Sequence, residues 1–149
     1  MNIEESFQDV THLFIDTAPI IYYVEQNPRY LETARAVFNY ISEGSLIAVT
    51  SPITLSECLV RPYSLGQTQL QQYFIDVIVN GNNTIFVLID NPDIALEAAQ
   101  VRARYNLQLP DTFQIAVALA AECEAFLTND NVFRRVTELT ILLLDELEI

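Results

Sequence analysis

The stretch LPDTFQIAVALAAECEAFLTNDNVF, residues 109–133, decides the fold. It opens on Leu-Pro-Asp, a helix start with proline in its first positions, and runs on through IAVALAA, small and apolar enough to be buried on most sides. AFLT (Ala125–Thr128) follows as a short apolar strand, and Asn129-Asp130-Asn131 as the turn that ends it. A buried helix feeding directly into a buried strand is the half-unit of a parallel sheet, because each return to the same edge needs a crossover.

The same pattern recurs on both sides. HLFI (His12–Ile15) is a first strand, closed by Asp16-Thr17-Ala18-Pro19, and a short helix is expected over residues 19–24. Asn27-Pro28 opens a helix in which Tyr30, Ala34, Val37, Phe38 and Ile41 recur at helical spacing until Gly44. LIAV (46–49) is a second strand. A helix from Ser51-Pro52 carries Leu55, Glu57, Cys58 and Leu59 up to a break at Arg61-Pro62. A helix over 67–79, a strand over 85–89 (IFVLI), a helix from Asn91-Pro92 to Tyr105, a short helix over 131–136 and a strand over 140–144 complete the chain. Strands alternating with helices predict an α/β domain with a central parallel sheet of about five strands and helices on both faces. Residues 1–149 read as one domain, with 1–11 as an extension of open role.

Composition removes most chemistries. The 149 residues contain 7 basic and 20 acidic side chains, a formal net charge of −13, and every basic residue is an arginine. Without lysine, phosphate-loop and Schiff-base chemistry are excluded. Gly44, Gly66 and Gly81 are too scattered for a dinucleotide-binding turn. The lone histidine, His12, begins an apolar strand, which argues against a hydrolytic triad. Cys58 and Cys123 lack C-x-x-C spacing and read as reduced core thiols. No apolar run is long enough to cross a bilayer and no cationic, secretory-type start is seen, so a cytoplasmic protein without membrane association is expected.

What remains is a set of carboxylates. In open parallel sheets, ligands collect at the carboxyl ends of the strands. Asp16 ends the first strand, Glu57 lies in the helix after the second, Asp111 starts the buried helix, and Asp130 follows the fourth strand. Taken singly, each is explained by helix capping or a solvated helix face. Gathered in one cleft, they repel one another and must take up protons or bind a cation. Oxygen donors without histidine or thiolate favour Mg²⁺ or Mn²⁺ over zinc or copper.

Three pieces, LFIDTAPIIYYVE (13–25), SPITLSECLVRP (51–62) and the 109–133 stretch with its T-x-D-x-x-F ending, resemble the PIN-domain nucleases. That family includes the ribonuclease toxins of VapBC-type toxin–antitoxin modules. The resemblance implies a three-layer sandwich with an acidic metal cleft, Mg²⁺ or Mn²⁺ as cofactor, and hydrolysis of RNA phosphodiesters. Asp16, Glu57, Asp111 and Asp130 match the four acidic motif positions, Thr128 the polar position before the last aspartate, and Thr17 the small polar position after the first. An antitoxin chain and a homodimer are the implied partners. The strong negative charge sits awkwardly with a polyanionic substrate, so Arg61, Arg134 and Arg135 are the cations best placed for a phosphate. The competing reading is a non-catalytic interaction module whose acidic edge binds a metal structurally or docks a basic partner, with the apolar stretch 20–24 beside it as either core or partner surface. A D-x-D phosphatase is disfavoured because Ala18 stands where its second aspartate would be needed.

Overall fold

The computed structural model describes Met1–Ile149. Five strands form one parallel sheet: β1 (His12–Ile15), β2 (Ile47–Thr50), β3 (Thr84–Phe86), β4 (Ala125–Thr128) and β5 (Thr140–Leu143), in the order β3-β2-β1-β4-β5. Strand β1 is central, and its residues Leu13, Phe14 and Ile15 stand beside Ala125, Phe126 and Leu127 of β4. The chain leaves β1 toward one edge and β4 toward the other. The gap between their carboxyl ends is thus the topological switch point, where such sheets place ligands.

The helices are α1 (Ile3–Ser6), α2 (Thr17–Val24), α3 (Leu31–Ser42), α4 (Pro52–Ser64), α5 (Thr68–Ile78), α6 (Pro92–Tyr105) and α7 (Leu109–Ala120). Alternation along the strands assigns them to layers. Leu13, Ile15, Ala48, Ala125 and Leu127 pack with Ile20, Val37, Cys58 and Phe74 of α2 to α5. The intervening Phe14, Val49 and Phe126 pack with Val101 of α6 and Ile115 and Val117 of α7. Phe14 and Phe126 stack across the β1–β4 pair at 4.9 Å between ring centres. The result is the expected three-layer α/β sandwich with five parallel strands. No helix is long and apolar enough to cross a membrane.

Several boundaries differ from the sequence reading. Helix α2 begins at Thr17, so Pro19 sits in its first turn, where the N–H it lacks would have no intrahelical partner. Asn27 opens a turn, its Oδ1 accepting from the Arg29 and Tyr30 amides, and α3 starts only at Leu31. Helix α4 continues through Pro62 to Ser64, because Leu59 and Pro62 are buried and packing outweighs the proline's missing donor. Strand β3 stops at Phe86 because its partner β2 ends at Thr50, whose carbonyl takes the Val87 amide as the last bond. Residues 131–136 contain a 3₁₀ helix, Asn131–Arg135.

Residues 1–11 are knit into the fold. Ile3 N donates to the Glu148 carbonyl at 2.8 Å and Glu148 N to the Met1 carbonyl at 2.7 Å, a parallel bridge between the two chain ends. Ile3 and Phe7 are buried in the same core as Leu144 and Leu147. His12 lies at the amino end of β1, opposite the carboxyl edge; its backbone amide donates to Glu124 Oε1 at 2.8 Å. Both cysteines are buried and unpaired, and burial pushes the Cys123 thiol up to about 12.

Candidate active site

Asp16 follows β1 at the switch point and is 8 % exposed. It occupies the position before α2, yet its side chain makes no cap bond to that helix. Instead, Oδ2 accepts from the Thr128 hydroxyl at 2.8 Å. Thr128, the last residue of β4, is wholly buried, and its oxygen also accepts from the Asp130 amide at 3.1 Å. One hydroxyl therefore ties the carboxylate after β1 to the turn after β4.

Glu57 comes from α4. The serine that starts this helix, Ser51, caps it by accepting from the Ile53 and Thr54 amides. The Glu57 side chain is exposed at the rim of the edge, not packed inward as the apolar neighbours Leu55 and Leu59 suggest. Its Oε1 accepts from the Thr17 hydroxyl at 2.8 Å, so Thr17 orients Glu57 and does not serve as a helix cap. Asp111, half-buried in the first turn of α7, and exposed Asp130 line one cavity of about 360 Å³ with Asn106, Gln108 and Arg135. Asp130 also caps its own 3₁₀ helix, Oδ1 accepting from the Val132 amide at 3.0 Å.

Electrostatics couples the four groups. Burial, reinforced by Glu57 and Asp111, raises the Asp16 carboxyl to about 6, against the opposing pull of the Thr17 amide and the Thr128 hydroxyl. Burial, with Asp130 and Glu57, raises Asp111 to about 6 as well. No arginine relieves either group. This edge is an oxygen-only donor set carrying unbalanced negative charge, which fits a hard divalent cation. As the side chains stand, no three of them close into a complete cage.

Of the three arginines singled out in the sequence, Arg135 lines the Asp111–Asp130 cavity. Arg134 is taken up by an ion pair with Glu146 and a 3.1 Å bond to Asn131 Oδ1. Arg61 is exposed on α4, and no carboxylate pairs with it. Asn129 is more than a turn residue: Oδ1 accepts from the Asp145 amide at 3.0 Å and Nδ2 donates to the Tyr22 hydroxyl, bracing the turn against the end of β5. Tyr22, in the apolar stretch 20–24, stacks on Tyr30 at 4.4 Å, and Ile20 and Val24 of the same stretch are buried in the core.

One group escaped the sequence reading. Gln114 is wholly buried on α7, one turn beyond Asp111. Its Oε1 accepts from the Ser51 hydroxyl, and its Nε2 donates to Thr54 Oγ1 at 2.6 Å. Thr54 stands one turn before Glu57, so this bridge locks the helix of Asp111 to the helix of Glu57. The available signal was a single glutamine inside an otherwise apolar run.

A family model described as the PIN domain matches residues 13–139. No curated protein sequence matches the chain. Among solved structures, VapBC2 from Rickettsia felis bound to a promoter DNA fragment superposes with a TM-score of 0.70 at 13% identity, covering 89% of this chain and 98% of the other. FitAB bound to an IR36 DNA fragment gives 0.70 at 19% identity over 92% and 98% of the two chains. DNA-bound VapBC from Salmonella typhimurium gives 0.64 at 20% identity over 90% and 98%. These likenesses show the fold.

Proposed function

The chain belongs to the PIN-domain family, a family of nucleases, and from that premise we propose that it is a Mg²⁺- or Mn²⁺-dependent endoribonuclease whose ion is held by Asp16, Glu57, Asp111 and Asp130. The observation that carries this reading is Asp16, a buried carboxyl raised to about 6 beside Glu57 and Asp111 with no arginine to balance it. A dication held by these carboxylates would offset that charge, and it would supply Lewis acidity toward a phosphodiester and lower the pKa of water.

The remaining work falls to the chain itself. Thr128 fixes the orientation of the Asp16 carboxylate through Oδ2. Thr17 holds Glu57 at the rim. Asp111 on α7 and Asp130 after β4 line the same cavity, where their charge would be available to the ion. The carboxylate set also repels a polyanion, so RNA binding is expected to depend on the ion.

One structural neighbour, from Klebsiella pneumoniae, is a toxin–antitoxin complex by name, and others are VapBC and FitAB structures bound to DNA. That shared fold supports a toxin role here, with an antitoxin chain as partner; a homodimer and action in the cytoplasm belong to the same proposal. The alternative, a non-catalytic module, draws support from the absence of a closed carboxylate cage. Incubation of RNA with purified protein and Mn²⁺, with and without chelator, separates the two. Cleavage that needs the ion and falls roughly a hundredfold or more in Asp16→Asn and Asp111→Asn supports the nuclease; calorimetric Mn²⁺ binding without cleavage of any RNA overturns it.

A further inference from the structure

The chain contains 7 arginines, and three are neutralised: Arg29 pairs with Asp145, Arg104 with Glu138 and Arg134 with Glu146. Arg102 turns to the Leu107 carbonyl, and Arg35 and Arg61 are exposed on α3 and α4. Arg135 alone shares a cavity with two of the site carboxylates. Its Nη1 donates to the carbonyls of Tyr105 and Asn106, both at 3.3 Å, and no carboxylate pairs with it. Carbonyl anchors hold a guanidinium in place without cancelling its charge. The N–H groups of Nη2 and Nε remain for an anion, in the planar fork that suits phosphate.

The cavity matches such a ligand. At about 360 Å³ it lies near the lower end of small-ligand sites, enough for one nucleotide. It sits at the amino end of α7, whose dipole favours an anion. Gln108 stands immediately before α7 without capping it, so its carboxamide is spare, and Asn106 offers a second. A carboxamide presents both donors and an acceptor, the complement of a base edge.

We propose that this cavity is a nucleotide subsite of the RNA strand: Arg135 holds the phosphate adjacent to the cleaved one, and the attached base meets Gln108 and Asn106. The proposal rests on reading the carboxylate edge as a nuclease site. Arg135 supplies a fixed positive charge beside that edge in a chain of net charge −13.

The test separates binding from cleavage. Fluorescence anisotropy of a labelled single-stranded RNA in Mn²⁺ is measured with the Asp111→Asn protein and again after adding Arg135→Gln or Arg135→Lys, while thermal melting confirms that each variant folds. Arg135→Gln is expected to weaken binding about tenfold or more and to flatten the log–log salt slope by about 0.7, the contribution of one phosphate on a single strand. Arg135→Lys keeps the charge and is expected to keep the slope. Gln108→Ala is expected to change preference among homopolymer RNAs at an unchanged slope. Equal affinity and slope in the Arg135→Gln protein overturn the subsite. Neither readout requires turnover, so failure of the nuclease reading registers separately, as intact RNA with the unmodified protein.

Discussion

The Thr128 hydroxyl lies 2.8 Å from Asp16 Oδ2, and both residues are buried. It is the one side-chain donor to a carboxylate that burial, Glu57 and Asp111 all push toward its neutral form. Replacing Thr128 by valine keeps the shape and removes the donor. The Asp16 carboxyl should then titrate above about 6 and lose its fixed orientation. Under the proposed mechanism, cleavage at neutral pH is expected to fall roughly 10- to 100-fold, with the acidic limb of the pH–rate profile displaced upward. Thr128→Ser should restore both. A profile identical to that of the unmodified protein would show that the hydroxyl plays no part.

Asp16 also makes the metal-free fold pH-sensitive. Its pKa is about 6 in the folded chain, against the ordinary aspartate value of 3.8 that applies once the chain unfolds. The folded state thus binds this proton more tightly than the unfolded chain does. The associated stability is fully present below about pH 4 and is lost as pH rises through about 6. Above that, ionised Asp16 costs the metal-free protein about 2–3 kcal/mol. Asp16→Asn cannot ionise, so in chelator it is expected to be more stable than the unmodified protein by about that amount at pH 8, with the difference vanishing near pH 4. Excess Mn²⁺ should narrow the gap by stabilising only the chain that binds it. Urea unfolding at the two pH values, with and without Mn²⁺, checks both statements.

What the sequence revealed and what it hid divide along local and non-local lines. Leu13 and Ile15 facing one layer while Phe14 faces the other is a period-two pattern written into the strand itself. Asp16 and Asp130 stand where strands end, so their shared edge followed from the alternation of elements. The end of β3 depended on where β2 stopped, and the continuation of α4 past Pro62 depended on what buried it. Arg134 and Arg135 are neighbours in one 3₁₀ helix, yet one meets Glu146 and the other meets two carbonyls beside Asp111. Only the folded chain distinguishes them. Gln114 likewise has meaning only opposite Ser51 and Thr54, 63 and 60 residues away along the chain.

The amino-terminal segment should behave as part of the core. Deleting residues 1–7 uncovers the surface beneath Ile3 and Phe7 and breaks the bridge to Glu148. Two buried apolar side chains of this size contribute about 3–6 kcal/mol together, less what the tail's own ordering costs. The truncated protein is expected to unfold at lower urea while retaining its metal site, because β1 begins beyond the cut and Asp16 lies at the opposite end of that strand. An unchanged urea midpoint would mean that the segment merely lies on the surface.

Gln114 is expected to govern both stability and the spacing of the acidic helices. Gln114→Met matches its length and leaves the Ser51 and Thr54 hydroxyls without the carboxamide that now pairs them. Ser51 still has the amides of its own cap, so the cost is that of a partly satisfied network, about 1–3 kcal/mol. Gln114→Ala adds a cavity and should cost about 2–4 kcal/mol. If the bridge also sets the separation of Glu57 from Asp111, Mn²⁺ affinity measured by calorimetry on folded Gln114→Met protein should drop about tenfold or more, the range seen when a group supporting a metal ligand is removed. Full affinity in a destabilised but folded variant would confine Gln114 to packing, because a purely structural glutamine has no means of moving one carboxylate relative to another.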